Sequence, residues 1–256
     1  MLLCLDVGNT HILGGVFRGN ELLARFRYAT PLLGTSDQFG IFLINILQAK
    51  KIDPSAVKSI AVSSVVPGHD YSLRHTALNY FTADYFVLKG DQQPGLKIHY
   101  KNPSEVGADR IANAIGAMQH YPNRDLIIID MGTATTLCGV TKDGDYLGGA
   151  ILPGLRLGME SLRSNTAKLM EVNIEAPAHV IGKTTHESIQ SGLFYGQLGA
   201  LRELIAAFKQ EAFADKQPMI VGTGGFSQMY KDKALFDAIL PDLVLDGLRF
   251  AYERSR

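Results

Sequence analysis

The sequence predicts an α/β protein made of two similar halves, and three observations carry that prediction. Short apolar runs alternate with stretches of helical periodicity along nearly the whole chain. The string Leu5-Asp6-Val7-Gly8-Asn9-Thr10 returns as Ile129-Asp130-Met131-Gly132-Thr133-Ala134. In the register that sets Asp6 against Asp130, Gly8 meets Gly132, Leu13 meets Leu137, Gly15 meets Gly139 and Val16 meets Val140, as expected of an internal duplication. Finally, 256 residues with 46% apolar and 20% charged side chains suffice for two soluble halves that share a cleft.

In each copy an apolar run ends at D-x-G and resumes as a second strand. Polar turns at Arg18-Gly19-Asn20 and at Lys142-Asp143-Gly144-Asp145 then lead into a third, so a three-stranded meander is expected twice. After the first meander, residues 37–50 carry helical periodicity behind Ser36 as the candidate cap. Strands at 59–62 and 85–88 flank a helix near 71–81, and a further helix covers 108–120. The second half opens with a strand at 126–130. After its meander come a long helix at 187–210, a strand at 219–221 and a helix at 245–252. The halves are drawn at 1–120 and 121–256. With no low-complexity segment or long linker between them, they are expected to pack face to face.

Charge excludes some functions. Twenty-five basic and 25 acidic side chains cancel, so no bulk positive field draws the chain to nucleic acid or anionic lipid. Cys4 and Cys138 lie in apolar segments, outside any CxxC, which suits a reducing compartment. The first residues turn acidic and glycine-containing before a signal-peptide core could form. The densest apolar stretches, 41–47 and 126–129, are far shorter than the roughly 20 residues of a membrane span. A cytoplasmic protein is expected, with neither nucleic acid nor membrane as partner.

Several motifs offer chemistry, each beside a plainer reading. Asp6-Val7-Gly8-Asn9-Thr10 ends a buried strand with a glycine that lets backbone N–H groups approach a ligand, and with a carboxylate suited to the waters of a phosphate-bound Mg²⁺. Taken once, it reads equally as a tight hairpin with an Asx turn; its return at Asp130 argues for phosphate binding. Gly222-Thr223-Gly224-Gly225-Phe226 places a glycine turn between a strand and an expected helix, a recurrent nucleotide cradle, but a weak signal alone. Gly107-Ala108-Asp109-Arg110 opens a helix, either as an acidic helix start with an arginine neighbour or as a carboxylate with room for a substrate hydroxyl. Gly148-Gly149-Ala150-Ile151-Leu152-Pro153-Gly154 is either a glycine-lined strand end at a site or a crowded crossover. Gly182-Lys183-Thr184 imitates the tail of a Walker A loop, but Pro177 stands where its first glycine belongs. His186-Glu187 begins an HExxH pattern that Gln190 breaks.

A duplicated D-x-G meander with a late glycine loop resembles the acetate- and sugar-kinase, actin and Hsp70 superfamily. That likeness implies two actin-like (ribonuclease H-like) halves with a nucleotide cleft between them. The longer strings choose within it. Asp6 through His11, Asn102 through Arg110, Asp130 through Thr136 and Gly148 through Gly154 resemble type III pantothenate kinase, in that family's order. The resemblance continues through Gly182-Lys183-Thr184-Thr185 to the glycine loop at 222–225.

The resemblance implies ATP-dependent phosphorylation of pantothenate to 4′-phosphopantothenate, the first step of coenzyme A biosynthesis. It also implies a role for each matching residue. Asp6, Val7, Gly8, Asn9, Thr10, His11, Ile12 and Leu13 would form the first phosphate loop, with Asp6 holding Mg²⁺ through water. Gly132, Thr133, Gly224 and Gly225 would contact ATP, and Asp130 would bind a monovalent cation, K⁺ or NH₄⁺. Asp109 would be the general base. Tyr100, Gly107, Ala108, Asp109 and Arg110 would hold pantothenate, joined by Thr185 from the partner subunit of a homodimer. These parts suit phosphoryl transfer, which is mainly positioning and charge neutralisation. Two other classes are weighed against this one. A superfamily phosphatase or sugar kinase would not release ADP strictly in response to pantothenate. A non-catalytic, DNA-binding regulator would need a basic patch that the sequence lacks.

Overall fold

The computed structural model describes residues 1–89, 95–166, 168–214 and 216–256. Two compact units form, one from Met1–His120 with Leu243–Arg256 and one from Tyr121–Asp242.

At the centre of the first unit lies β1 (Leu2–Val7), buried along its length except at Asp6, which is half-buried. It runs antiparallel to β2 (His11–Arg18), which pairs with β3 (Glu21–Ala29). On its other side β1 runs parallel to β4 (Ser59–Ser64), followed by β5 (Asp84–Val87), giving the order β3-β2-β1-β4-β5. A near-continuous apolar run such as Leu2-Leu3-Cys4-Leu5 is what a strand covered on both faces requires. Leu3, Leu5 and Val7 point to α1 (Ser36–Ala49), meeting Phe39, Leu43 and Leu47. Helix α2 (Asp70–Thr76) packs beside α1 and runs on into a π-helical turn at Ala77–Phe81. The opposite face of this sheet is covered by α3 (Ala108–His120) and α6 (Leu243–Arg254). A two-residue strand β6 (Lys97–Ile98) precedes α3.

The second unit repeats the plan. Its strands β7 (Leu126–Met131), β8 (Ala134–Val140), β9 (Asp145–Pro153), β10 (Met219–Thr223) and β11 (Ala238–Ile239) take the order β9-β8-β7-β10-β11. The meander is again antiparallel, and the β7–β10 and β10–β11 pairings are parallel. Both second strands carry a bulge, at Val16/Phe17 and at Gly139/Val140. Where α1 covers the odd-numbered face of β1, α5 (Thr185–Ala212) covers that of β7, with Phe194, Leu198 and Leu201 against Ile127, Ile129 and Met131. Helix α4 (Leu155–Ser164), absent from the elements expected above, follows β9 directly. Among the described residues no helix is long and apolar enough to cross a membrane.

Three expectations change in detail. The helix expected near 71–81 is α2, which widens into the π turn over its last residues. After the glycine loop the chain forms a 3₁₀ helix, Ser227–Lys233, instead of an α-helix start. The segment 243–256, expected with the second half, packs on the first unit, because α6 and α3 meet at glycines that no local pattern pairs.

The cap of α1 is also one residue earlier than Ser36. Thr35 Oγ1 accepts from Gln38 N at 3.3 Å and Gln38 Oε1 accepts from Thr35 N at 2.9 Å, a reciprocal capping box. Thr35→Ala is therefore expected to destabilise the first unit by about 1 kcal/mol. Ser36→Ala is expected to change stability by less than about 0.5 kcal/mol. Urea midpoints of the two variants distinguish them.

Candidate active site

The residues singled out from the sequence fall into a group on each unit. On the first, β1 delivers Asp6 at the point where the sheet ends. Its parallel partner in register is Ser63, fully buried on β4, whose Oγ donates to Asp6 Oδ1 at 2.9 Å. The turn that follows is closed by Gly8 N donating to His11 O at 3.1 Å. Thr30, just past β3, clamps it from outside: Thr30 Oγ1 donates to Gly8 O at 2.7 Å and Thr30 N to Thr10 O at 3.0 Å. Asn9 and His11 stay exposed, while Val7 and Ile12 are fully buried and can meet a ligand only through their backbone. Ser63 and Thr30 carry no signal in the sequence, since each is brought to the loop by pairing across the sheet.

The second cluster of this unit is the start of α3. Gly107 O accepts from Arg110 N at 3.1 Å and from Ile111 N at 3.2 Å, so the helix begins there. Asp109 Oδ1 accepts from Arg110 N at 2.8 Å. A side chain at Gly107 would put its Cβ 2.5 Å from Asp109 Oδ1, so glycine is what leaves the carboxylate room. Arg110 is buried; its Nη2 donates to Tyr100 Oη at 3.1 Å and its guanidinium carbon lies 5.7 Å from the Tyr100 ring centre. Tyr100, Gly107, Asp109 and Arg110 thus form one neighbourhood, with half-buried Ala108 inside it.

On the second unit Asp130 stands on β7 where Asp6 stands on β1, opposite Thr136 of β8 and Thr223 of β10. Gly132 N donates to Ala134 O at 3.1 Å, the counterpart of the Gly8 turn. Two further glycines press on this loop. A Cβ at Gly154 would lie 2.5 Å from Gly132 O and run into Thr133 O. Gly224, at φ +84°, has no room for a Cβ, which would strike Asp130 Oδ1 and lie 2.6 Å from Met131 N. Ser227 Oγ and N both donate to Gly224 O, at 2.8 and 3.2 Å, and Phe226 N donates to Met131 O at 3.1 Å. Three loops, at 132–133, 154 and 224–226, are therefore bonded around Asp130.

Thr185 is the exposed first residue of α5. Its neighbours explain the misleading Walker-like string. Thr184 Oγ1 accepts from Glu187 N at 3.2 Å, Glu187 Oε2 accepts from Lys183 N at 2.6 Å, and Gly182 fits closely against Glu187 and Ser188. Gly182-Lys183-Thr184 is a helix cap.

Comparison with known proteins gives this arrangement a family. A family model described as type III pantothenate kinase matches residues 2–207. The type III pantothenate kinase of Legionella pneumophila (strain Paris) is 51% identical over 251 residues, covering 98% of each chain. Type III pantothenate kinase 1 of Francisella tularensis subsp. holarctica (strain OSU18) is 44% identical over 256 residues, covering 100% of each. The chain belongs to the type III pantothenate kinase family. Among solved structures, ROK hexokinase from Thermus thermophilus matches at TM-score 0.51 and 15% identity, over 100% of this chain and 99% of that one. A Campylobacter jejuni protein carrying the name of a Baf family transcriptional activator matches at TM-score 0.63 and 19% identity, over 99% and 98%. At such identities these two show the fold alone, that of the actin-like ATPases and sugar kinases expected from the sequence.

Within this type III pantothenate kinase fold one carboxylate is electrostatically unusual. Burial raises the Asp109 pKa above the ordinary 3.8, outweighing the Arg110 backbone N–H and the Arg110 charge, which pull it down. A helix N-terminus alone would do the reverse and favour the charged form; desolvation is the larger effect. A raised folded-state pKa means that the fold prefers the protonated carboxyl. Its stabilising contribution is complete below the unfolded pKa and is lost as pH rises through the folded one. At neutral pH Asp109→Asn is therefore expected to be more stable than the parent, with the difference vanishing below pH 3.8. Thermal melts at neutral and acid pH check this; a less stable variant at neutral pH would mark Asp109 as an ordinary helix-start residue.

Proposed function

We propose that this chain transfers the γ-phosphoryl group of ATP to the primary hydroxyl of pantothenate, giving 4′-phosphopantothenate, with Asp109 as the base. The observation that carries the assignment is the α3 start. A half-buried carboxylate with a raised pKa lies beside a glycine that leaves it room, next to a buried Arg110 hydrogen-bonded to Tyr100. A carboxylate whose pKa is raised is a stronger base than an ordinary aspartate, and suits a hydroxyl that loses its proton late in a loose transition state. Arg110 supplies a planar cation suited to the substrate carboxylate. Gly107, Ala108 and Tyr100 complete that surface, with Thr185 from a second subunit of a homodimer in the cytoplasm.

The Asp6–Leu13 loop would take the triphosphate. Its backbone is fixed beforehand by Thr30 and by the Gly8–His11 bond, so its donors need little reorganisation on meeting charge. The donor chemistry fits a divalent ion such as Mg²⁺ at Asp6. Among the described residues no group of three or more His, Cys, Asp or Glu could hold a metal by itself. An ion here would keep water and phosphate oxygens in its shell, the manner in which Mg²⁺ prefers to bind. Such an ion would neutralise phosphate charge. Gly132, Thr133, Gly224 and Gly225 are assigned to ATP, and Asp130 to K⁺ or NH₄⁺. Asp130 lies at the strand end beside Gly224, and a single carboxylate there suits a monovalent cation placed next to phosphate charge.

ADP release in a coupled assay is expected to require pantothenate, and Asp109→Asn is expected to lower kcat by at least about a hundredfold. Hydrolysis without pantothenate would point to a phosphatase, and near-normal kcat in the variant would move the base elsewhere. Activity is further expected to rise with K⁺ or NH₄⁺ and to be poor in Na⁺. Equal rates in the three buffers would remove the assignment of Asp130.

A further inference from the structure

The chemistry above rests on one side chain at the first turn of α3, and the structure shows what holds that helix in place. Helix α3 is buried from Arg110 to Ala117, and α6 crosses it where each presents a glycine. A Cβ at Gly116 would lie 2.7 Å from Leu243 O and 3.1 Å from Gly247 N. A Cβ at Gly247 would run into Ala112 O and lie 3.0 Å from Gly116 N. This contact is backbone on backbone, so no rotamer change can absorb an added methyl; one helix has to move. At the far end of α3, His120 Nε2 donates to Asp246 Oδ2 at 2.8 Å, and the His120 ring meets Phe250 edge-on at 6.3 Å.

Helix α6 is itself tied to the sheet. Tyr252 Oη donates to Ser59 Oγ of β4 at 2.6 Å. The buried Arg249 reaches Asn20 Oδ1 at 2.9 Å in the β2–β3 turn, and Leu245 lies against Gly15 of β2. Bonds therefore run from the sheet through α6 to α3 and on to its first turn, about 10 Å from Gly116 at 1.5 Å per residue. We infer that Gly247, with Gly116 and the His120–Asp246 pair, is a positioning device that sets the axial placement of the Asp109 carboxylate. These residues touch no substrate; they act through the helix that carries the base. A misplacement of about 1 Å at a reacting group costs on the order of 10²-fold.

This inference rests on the reading of Asp109 as base, and a double-mutant cycle separates the two. Gly247→Ala is expected to lower kcat about ten- to a hundredfold, with ATP affinity by calorimetric titration unchanged. In that background Asp109→Asn is expected to cost far less than it does alone, because a displaced base has little left to lose. Full, multiplicative costs, or wild-type kcat in folded Gly247→Ala, would overturn the positioning role. Near-normal kcat in Asp109→Asn alone would instead remove the base, and the inference with it. Should Gly247→Ala fail to fold, Asp246→Ala, which removes the acceptor of His120 and so releases the far end of α3, goes through the same cycle. A reduced cost of Asp109→Asn in that background supports the positioning role, and a full multiplicative cost overturns it.

Discussion

A strand covered on both faces can carry a charged side chain only at its end, where the sheet stops and a loop begins. In each unit the central strand obeys this, and much of the remaining architecture follows from it. Strands β1 and β7 satisfy their backbone with an antiparallel neighbour on one side and a parallel one on the other. Each ends with an aspartate at the same relative place and turns immediately through a glycine closed by a short backbone bond. Nothing inside the sheet could host such a carboxylate, so the parallel neighbour meets it with a small polar residue. That residue is Ser63 on β4 and Thr223 on β10.

The two units then differ in what surrounds that shared plan. The first loop is held from Thr30, whose hydroxyl bonds Gly8 O and whose N–H bonds Thr10 O, and Asn9 and His11 stay exposed. The second is held by backbone packed on backbone, through Gly154 and Gly224. Duplication has thus produced two loops held by different means from the same starting string.

Whatever is periodic or repeated in this chain is legible in its sequence. The match of Leu5–Thr10 with Ile129–Ala134 reveals both meanders, their turns and the acidic strand ends, because a strand–turn–strand unit is specified within a few residues. What escapes depends on register between distant segments. Ser63 faces Asp6 only because β4 lies parallel to β1, and a strand expected at 59–62 stops one residue short of it. Helix α4 follows β9 without a loop and so has no boundary to detect. The displacement of the α1 cap from Ser36 to Thr35 is a choice between adjacent hydroxyls that the Gln38 side chain decides. At Asp109 the helix start is visible, but the burial that outweighs it depends on how the whole unit packs.

The contact between α3 and α6 also has a bearing on how the protein is made. All of Tyr121–Asp242 lies between these two helices in the sequence. At about 5–20 residues per second, the ribosome delivers α6 on the order of ten seconds after α3. During that interval the first sheet lacks half the cover of one face, and the apolar side of α3 waits for its neighbour. The second unit, contiguous in sequence, can close first. Maturation of this protein therefore runs out of order: the segment translated first is finished last, and until α6 arrives α3 remains an open surface for a chaperone to shield.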